Sequence, residues 1–106
     1  MEIDQEIIEE IVRCVTSVVP AERIILFGSA AAGQMNPDSD IDLLVIQPIV
    51  SDVRAERLRV RKALRGLNYP FDIILMTKDY FEETKGVIGG IAYPANKQGR
   101  IIYEAA

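Results

Sequence analysis

Asp40 and Asp42 stand one residue apart at the head of an apolar run, Ile41 to Ile46. A Gly28-Ser29 pair precedes them across a ten-residue gap. Residues two apart in a strand project from the same face, so the two carboxylates are expected side by side. At about 4 Å apart they would repel by roughly 4 kcal/mol at an effective dielectric near 20. A divalent cation, held by hard oxygen ligands, relieves that repulsion. A cation beside a glycine-serine turn points to phosphate chemistry.

A strand that ends in Gly-Ser and opens a helix leaves free backbone N–H groups at the helix start. Those groups and the helix dipole favour an anion. Glycine at position 28 lets the backbone approach a phosphate, and Ser29 adds a hydroxyl donor. Taken alone, the same pair makes an ordinary turn with an N-cap. The acidic pair has its own plain reading, a solvated strand end. The uniformly apolar strand around Asp42 argues against it, because an unpaired buried carboxylate is costly. Asp72 repeats the situation in Phe71-Asp72-Ile73-Ile74-Leu75. If the two strands are neighbours in register, Asp40, Asp42 and Asp72 converge on one point.

The elements that must position these residues are legible as periodicities. Residues 3–19 carry Ile3, Ile7, Ile8, Ile11, Val12, Val15, Val18 and Val19 at helical spacing, stopped by Pro20. Ile24 to Phe27 reads as a buried strand. A short helix is expected from Ser29 through Ala30, Ala31 and Ala32, then a loop from Gly33 to Ser39. Ile41 to Gln47 is the second strand. Ser51 is expected to cap a helix over 52–65, with Val53, Val60, Leu64 and Leu67 on one apolar stripe. Phe71 to Met76 is the third strand. Thr77 caps a helix from Lys78 anchored by Tyr80 and Phe81. Glycines at 86, 89 and 90 leave helix beyond 86 undefined, and Arg100 to Tyr103 is the last strand. The alternation predicts an α/β (α+β) fold, a small mixed sheet of about four strands flanked by helices.

Composition narrows the function. The chain has 106 residues, 49% of them hydrophobic, enough for one small domain. It has no histidine and one cysteine, which removes Ser-His and Cys-His nucleophiles, imidazole zinc sites and an internal disulfide framework. Cys14 shares a helical stripe with Ile7, Ile11 and Val18 and reads as core. A net charge of −4 argues against broad nucleic-acid binding. No apolar stretch reaches membrane-spanning length, and the N-terminus lacks the basic start of a secretory signal, so a cytoplasmic location is expected.

Gly28-Ser29, ten residues, Asp40-Ile41-Asp42 and a later strand aspartate, Asp72, together resemble the nucleotidyltransferase superfamily that includes DNA polymerase beta. The length resembles its smallest branch, the minimal nucleotidyltransferases (MNT domains) of MntA-type antitoxins, over a single domain spanning 1–106. The resemblance implies that Asp40, Asp42 and Asp72 are catalytic and bind divalent metal, two Mg²⁺ ions. Asp40 and Asp42 would bridge both, and Asp72 would hold one and help deprotonate the acceptor. Gly28 and Ser29 would contact the nucleotide phosphates. Many relatives carry arginine at the positions of Ala30 and Ala32, so two triphosphate contacts are missing here. The implied reaction is AMP transfer from Mg-ATP to a hydroxyl, a tyrosine of a small helical HEPN-type toxin, in a hetero-oligomer. The alternative is a non-catalytic antitoxin that neutralises its partner by binding. Transfer to a small molecule would call for a further substrate domain.

Two features stay outside that scheme. Arg54, Arg57, Arg59, Arg61, Lys62 and Arg65 place half of all basic residues in one helix, winding around most of it and read as a solvated face, the alternative being a docking face for an acidic partner or for the pyrophosphate. Tyr80, Tyr93 and Tyr103 are too scattered for a base-stacking platform and read as packing. Gly89-Gly90 permits a turn and suggests no chemistry.

Overall fold

The computed structural model describes residues 4–28 and 40–105. The expected helix from Ser29 and the loop from Gly33 to Ser39 lie outside them. The first helix, α1, spans Gln5–Thr16. Asp4 caps it by accepting from Ile7 N at 3.0 Å, and it buries Ile8, Ile11, Cys14 and Val15. It ends three residues before the predicted residue 19. Thr16 and Ser17 turn their hydroxyls onto the carbonyls of Val12 and Cys14, while Val18 N and Val19 N both donate to Val15 O. Competing bonds of this kind unwind a last turn.

Four strands follow: β1 (Arg23–Phe27), β2 (Ile41–Gln47), β3 (Phe71–Thr77) and β4 (Arg100–Glu104). They form one mixed sheet in the order β3-β2-β1-β4. β1 is antiparallel to both β2 and β4, and β2 is parallel to β3. The parallel pair is bridged by α2 (Val53–Leu64), which runs into a 3₁₀ turn at Arg65–Leu67. Asn68, left-handed at φ 59°, reverses the chain into β3. The cap of α2 is Asp52, which accepts from Ala55 N at 3.0 Å, and not Ser51 as predicted. Ser51 instead donates its amide to Glu56.

Each strand alternates its faces. Ile24, Leu26, Ile41, Leu43, Val45, Ile73 and Leu75 pack with α1 and α2 residues, among them Ile11, Val15, Val60 and Leu64. Ile25, Leu44 and Ile46 pack on the opposite side with Phe81, Ala92 and Ala95. Phe81 belongs to α3 (Lys78–Thr84), capped by Thr77 as predicted. The two alanines belong to α4 (Ala92–Gln98), an element the sequence reading left undefined behind Gly86, Gly89 and Gly90. Two expected apolar anchors are exposed instead, Val53 at the first turn of α2 and Tyr80 on the outer side of α3. The result is a four-stranded mixed sheet with helices on both faces, the predicted fold class.

Burial of β2 extends to a polar residue that the apolar pattern does not explain. Gln47 is fully buried at the strand end, and Glu56 on α2 is nearly so. Gln47 Nε2 donates to Glu56 Oε1 at 2.8 Å and to Ile49 O at 3.2 Å. Glu56 Oε2 accepts from the amides of Ser51 and Asp52 at 2.9 and 3.0 Å. The amide bond from Asp52, then those from Gln47 and Ser51 and the nearby charge of Arg59, hold the Glu56 carboxyl below its ordinary value against the opposing cost of burial. This carboxylate pins the β2–α2 connection at the end of β2 remote from Asp42.

Candidate active site

Period-2 alternation places Asp42 on the same side of β2 as Leu44 and Ile46. Asp72 shares the side of β3 that carries Ile74 and Met76. Among the described residues α3 and α4 pack on that face against Leu44 and Ile46; Asp42 is half-buried and Asp72 exposed. Asp40 immediately precedes β2 and is exposed. The parallel register pairs Asp42 directly with Asp72, between Ile41–Phe71 and Leu43–Ile73. Paired strands lie about 4.8 Å apart, so two carboxylates sit abreast on that face of the sheet. Ile41 N donates to Pro70 O at 2.8 Å, locking the register beside both.

Across β2 on its other side, Phe27 of β1 pairs with Asp42. The next residue, Gly28, takes φ +73° and brings its backbone onto the Asp42 side chain. A Cβ on Gly28 would overlap Asp42 Oδ2 and lie 3.3 Å from Asp42 Cγ. Only glycine meets both conditions without strain. Sequence reasoning assigned Gly28 to a phosphate and missed its contact with Asp42, which depends on long-range strand pairing.

Partial burial, then the charges of Asp72 and Asp40, push the Asp42 carboxyl above its ordinary value. Asp42, with Asp40 and Asp72 beside it, is where a hard divalent cation could be held, since oxygen ligands are what such a cation takes. Among the described residues no three acidic or cysteine side chains are already drawn up around one point. The strands fix where the carboxylates originate, and closure on an ion requires their side chains to turn inward. Ser29, the predicted partner of Gly28, lies outside the described residues, as do Ala30 and Ala32. A cavity of about 230 Å³ lies at the opposite end of the sheet. Its charged residues are largely paired with one another, Arg23 with Glu104 and Lys78 with Glu22.

A mixed sheet with helices on both faces, one acidic pair in register and a left-handed glycine against it defines the class, an α/β domain. The sequence profile of the nucleotidyltransferase domain matches residues 8–97, and the chain belongs to that family. Its fold is similar to one chain of a toxin–antitoxin complex solved with AMP-PNP, at TM-score 0.71 and 19% identity over 92% of this chain and 73% of that one. It is also similar to a chain of a Shewanella oneidensis complex of tri-AMPylated HEPN toxin with MNT antitoxin (TM-score 0.65, 18% identity, 95% and 72% covered). A Sulfolobus solfataricus protein assigned to the nucleotidyltransferases aligns at TM-score 0.62 and 24% identity, covering 93% and 78%. No curated protein matches the chain. Among the described residues no helix is long and apolar enough to cross a membrane.

Proposed function

We propose that the chain is a single-domain protein adenylyltransferase, transferring AMP from Mg-ATP to a hydroxyl of a partner protein. The supporting observation is the Asp42–Asp72 register, with Gly28 against Asp42. In the reaction the acceptor oxygen attacks the α-phosphorus, the bond to the β-phosphate oxygen breaks, and pyrophosphate leaves. Asp72, the most accessible side of the pair, takes the acceptor proton. Gly28 and Ser29 bind the phosphate oxygens. Asp40, Asp42 and Asp72 hold Mg²⁺, which when bound neutralises charge on the phosphate oxygens.

The structural likeness to complexes of MNT antitoxin with HEPN toxin, one of them AMPylated, supports a HEPN-type toxin as the partner in a hetero-oligomer; a tyrosine as the acceptor and a cytoplasmic setting complete the proposal. Alanine at positions 30 and 32 favours a second reading, neutralisation of that partner by binding alone. Incubation with Mg²⁺ and ATP labelled at the α-phosphate, in lysate of the native host, separates the two. Label on a small protein with the wild type, absent with Asp42→Asn, establishes transfer. No label, with the same partner retained by both versions, establishes the binding reading.

A further inference from the structure

The six cations of the arginine-rich helix spread over about 200° of its circumference, as the sequence reading had it, but they are not spread evenly. At about 100° per residue, Arg54, Arg57, Arg61, Lys62 and Arg65 fall within an arc of about 140°. Glu56, Val60 and Leu64 occupy the buried side of α2, which borders that arc at Arg57. Arg59 sits on the flank, near Glu56. Among the described residues none of these six cations forms an ion pair. A net-negative chain therefore displays a concentrated basic face, without ion pairs among the described residues. Leu58, 47% exposed, lies within it.

This face ends in a groove of about 250 Å³ lined by Arg61, Leu64, Arg65, Tyr69, Pro70 and Phe71. Its floor is the start of β3, the edge strand of the sheet. Phe71 precedes Asp72, and Pro70 O anchors Ile41 between Asp40 and Asp42. Consecutive strand residues face opposite ways, so groove and carboxylates occupy the two sides of one sheet corner. A chain passing around the edge of β3 meets both.

We propose that this groove seats an acidic segment of the partner protein, and so presents a neighbouring hydroxyl at the carboxylate corner. It rests on the transfer reading for the word acceptor, but not for the docking itself. Guanidinium pairs suit carboxylates, which they bind through two parallel hydrogen bonds. Leu58, Leu64, Tyr69 and Phe71 supply apolar contact that a peptide with interspersed aliphatic side chains uses. A nucleic acid carries a charge at every residue, and the carboxylates at the same corner repel it more than a peptide of spaced charges.

The test is fluorescence anisotropy with the full chain, in magnesium-free buffer, on wild type and Asp42→Asn. The probes are a labelled peptide alternating glutamate and leucine and an oligouridylate of equal length. Both proteins should bind the peptide alike, more tightly than the oligouridylate and less tightly as salt rises. Arg61→Ala with Arg65→Ala should weaken peptide binding about tenfold with an unchanged melting midpoint, since both side chains are exposed. Arg61→Lys with Arg65→Lys should restore part of that loss, and Arg54→Ala, outside the groove, should change binding less. Absence of peptide binding, equal binding by the double alanine variant, or tighter binding of the oligouridylate each overturns the proposal. The assay needs no turnover, so failure of AMP transfer is a separate result.

Discussion

Gly28 lays its backbone against the carboxylate of Asp42, in a left-handed conformation that leaves no space for a Cβ. The turn after β1 and the acidic strand β2 are therefore one unit. Gly28→Ala should cost about 1–2 kcal/mol from the backbone conformation and turn the Asp42 carboxylate aside. A melting midpoint lower by roughly 5–10 °C is expected for a domain of this size. A wild-type midpoint would show that the turn relaxes freely and that the contact is incidental.

Asp42→Asn should abolish nucleotide transfer yet melt a few degrees higher than wild type in metal-free buffer. Burial and like charge raise the folded-state pKa of Asp42 above its unfolded value, so the folded state holds that proton more tightly. The penalty of ionisation is absent below the unfolded pKa, grows as pH rises, and is complete above the folded pKa. The difference between variant and wild type should accordingly be present at neutral pH and shrink on acidification. Thermal melts of both proteins across pH measure it, and a gap that widens in acid contradicts the assigned electrostatics.

Magnesium should raise the melting midpoint of the wild type, because a ligand bound only to the folded state stabilises it by mass action. Asp42→Asn should lose most of that increment, and Asp72→Asn part of it. An equal response in all three proteins would place the ion elsewhere.

Glu56→Gln should destabilise the fold without entering the chemistry. Its carboxylate accepts from two backbone amides and from Gln47 in a buried setting. Loss of a buried charged acceptor costs about 2 kcal/mol, on the order of a 10 °C fall in midpoint. The folded pKa lies below the unfolded one. The contribution is therefore present above the unfolded pKa and lost as pH falls through the folded value. The wild type should weaken through that acid range while Glu56→Gln responds less, which urea titrations at stepped pH can read.

Much of this was legible in local pattern. The Ile41–Gln47 run, the Thr77 cap and the strand containing Asp72 came from periodicity and end signals, which act over a few residues. The α4 helix was not legible, because Gly86, Gly89 and Gly90 precede it and its buried residues are two small alanines. Asp52 and not Ser51 is the cap because α2 starts at Val53, which puts the Asp52 carboxylate in reach of Ala55 N. That start is held by Glu56, which binds the amides of both Ser51 and Asp52 once it is buried with Gln47.

By itself the sequence determined which residues could share a face. Alternation puts Asp42 with Leu44 and Ile46, and Asp72 with Ile74 and Met76, whatever the partner strands. Helical spacing likewise determines that Arg54, Arg61 and Arg65 align. Only the tertiary structure decided that β2 and β3 run parallel with Asp42 opposite Asp72, that Gly28 closes on Asp42, and that the arginine arc meets the edge of β3. Periodicity is a property of neighbouring residues and survives in any fold. Register and sheet order are set by long-range burial, in which one strand's apolar face selects another's.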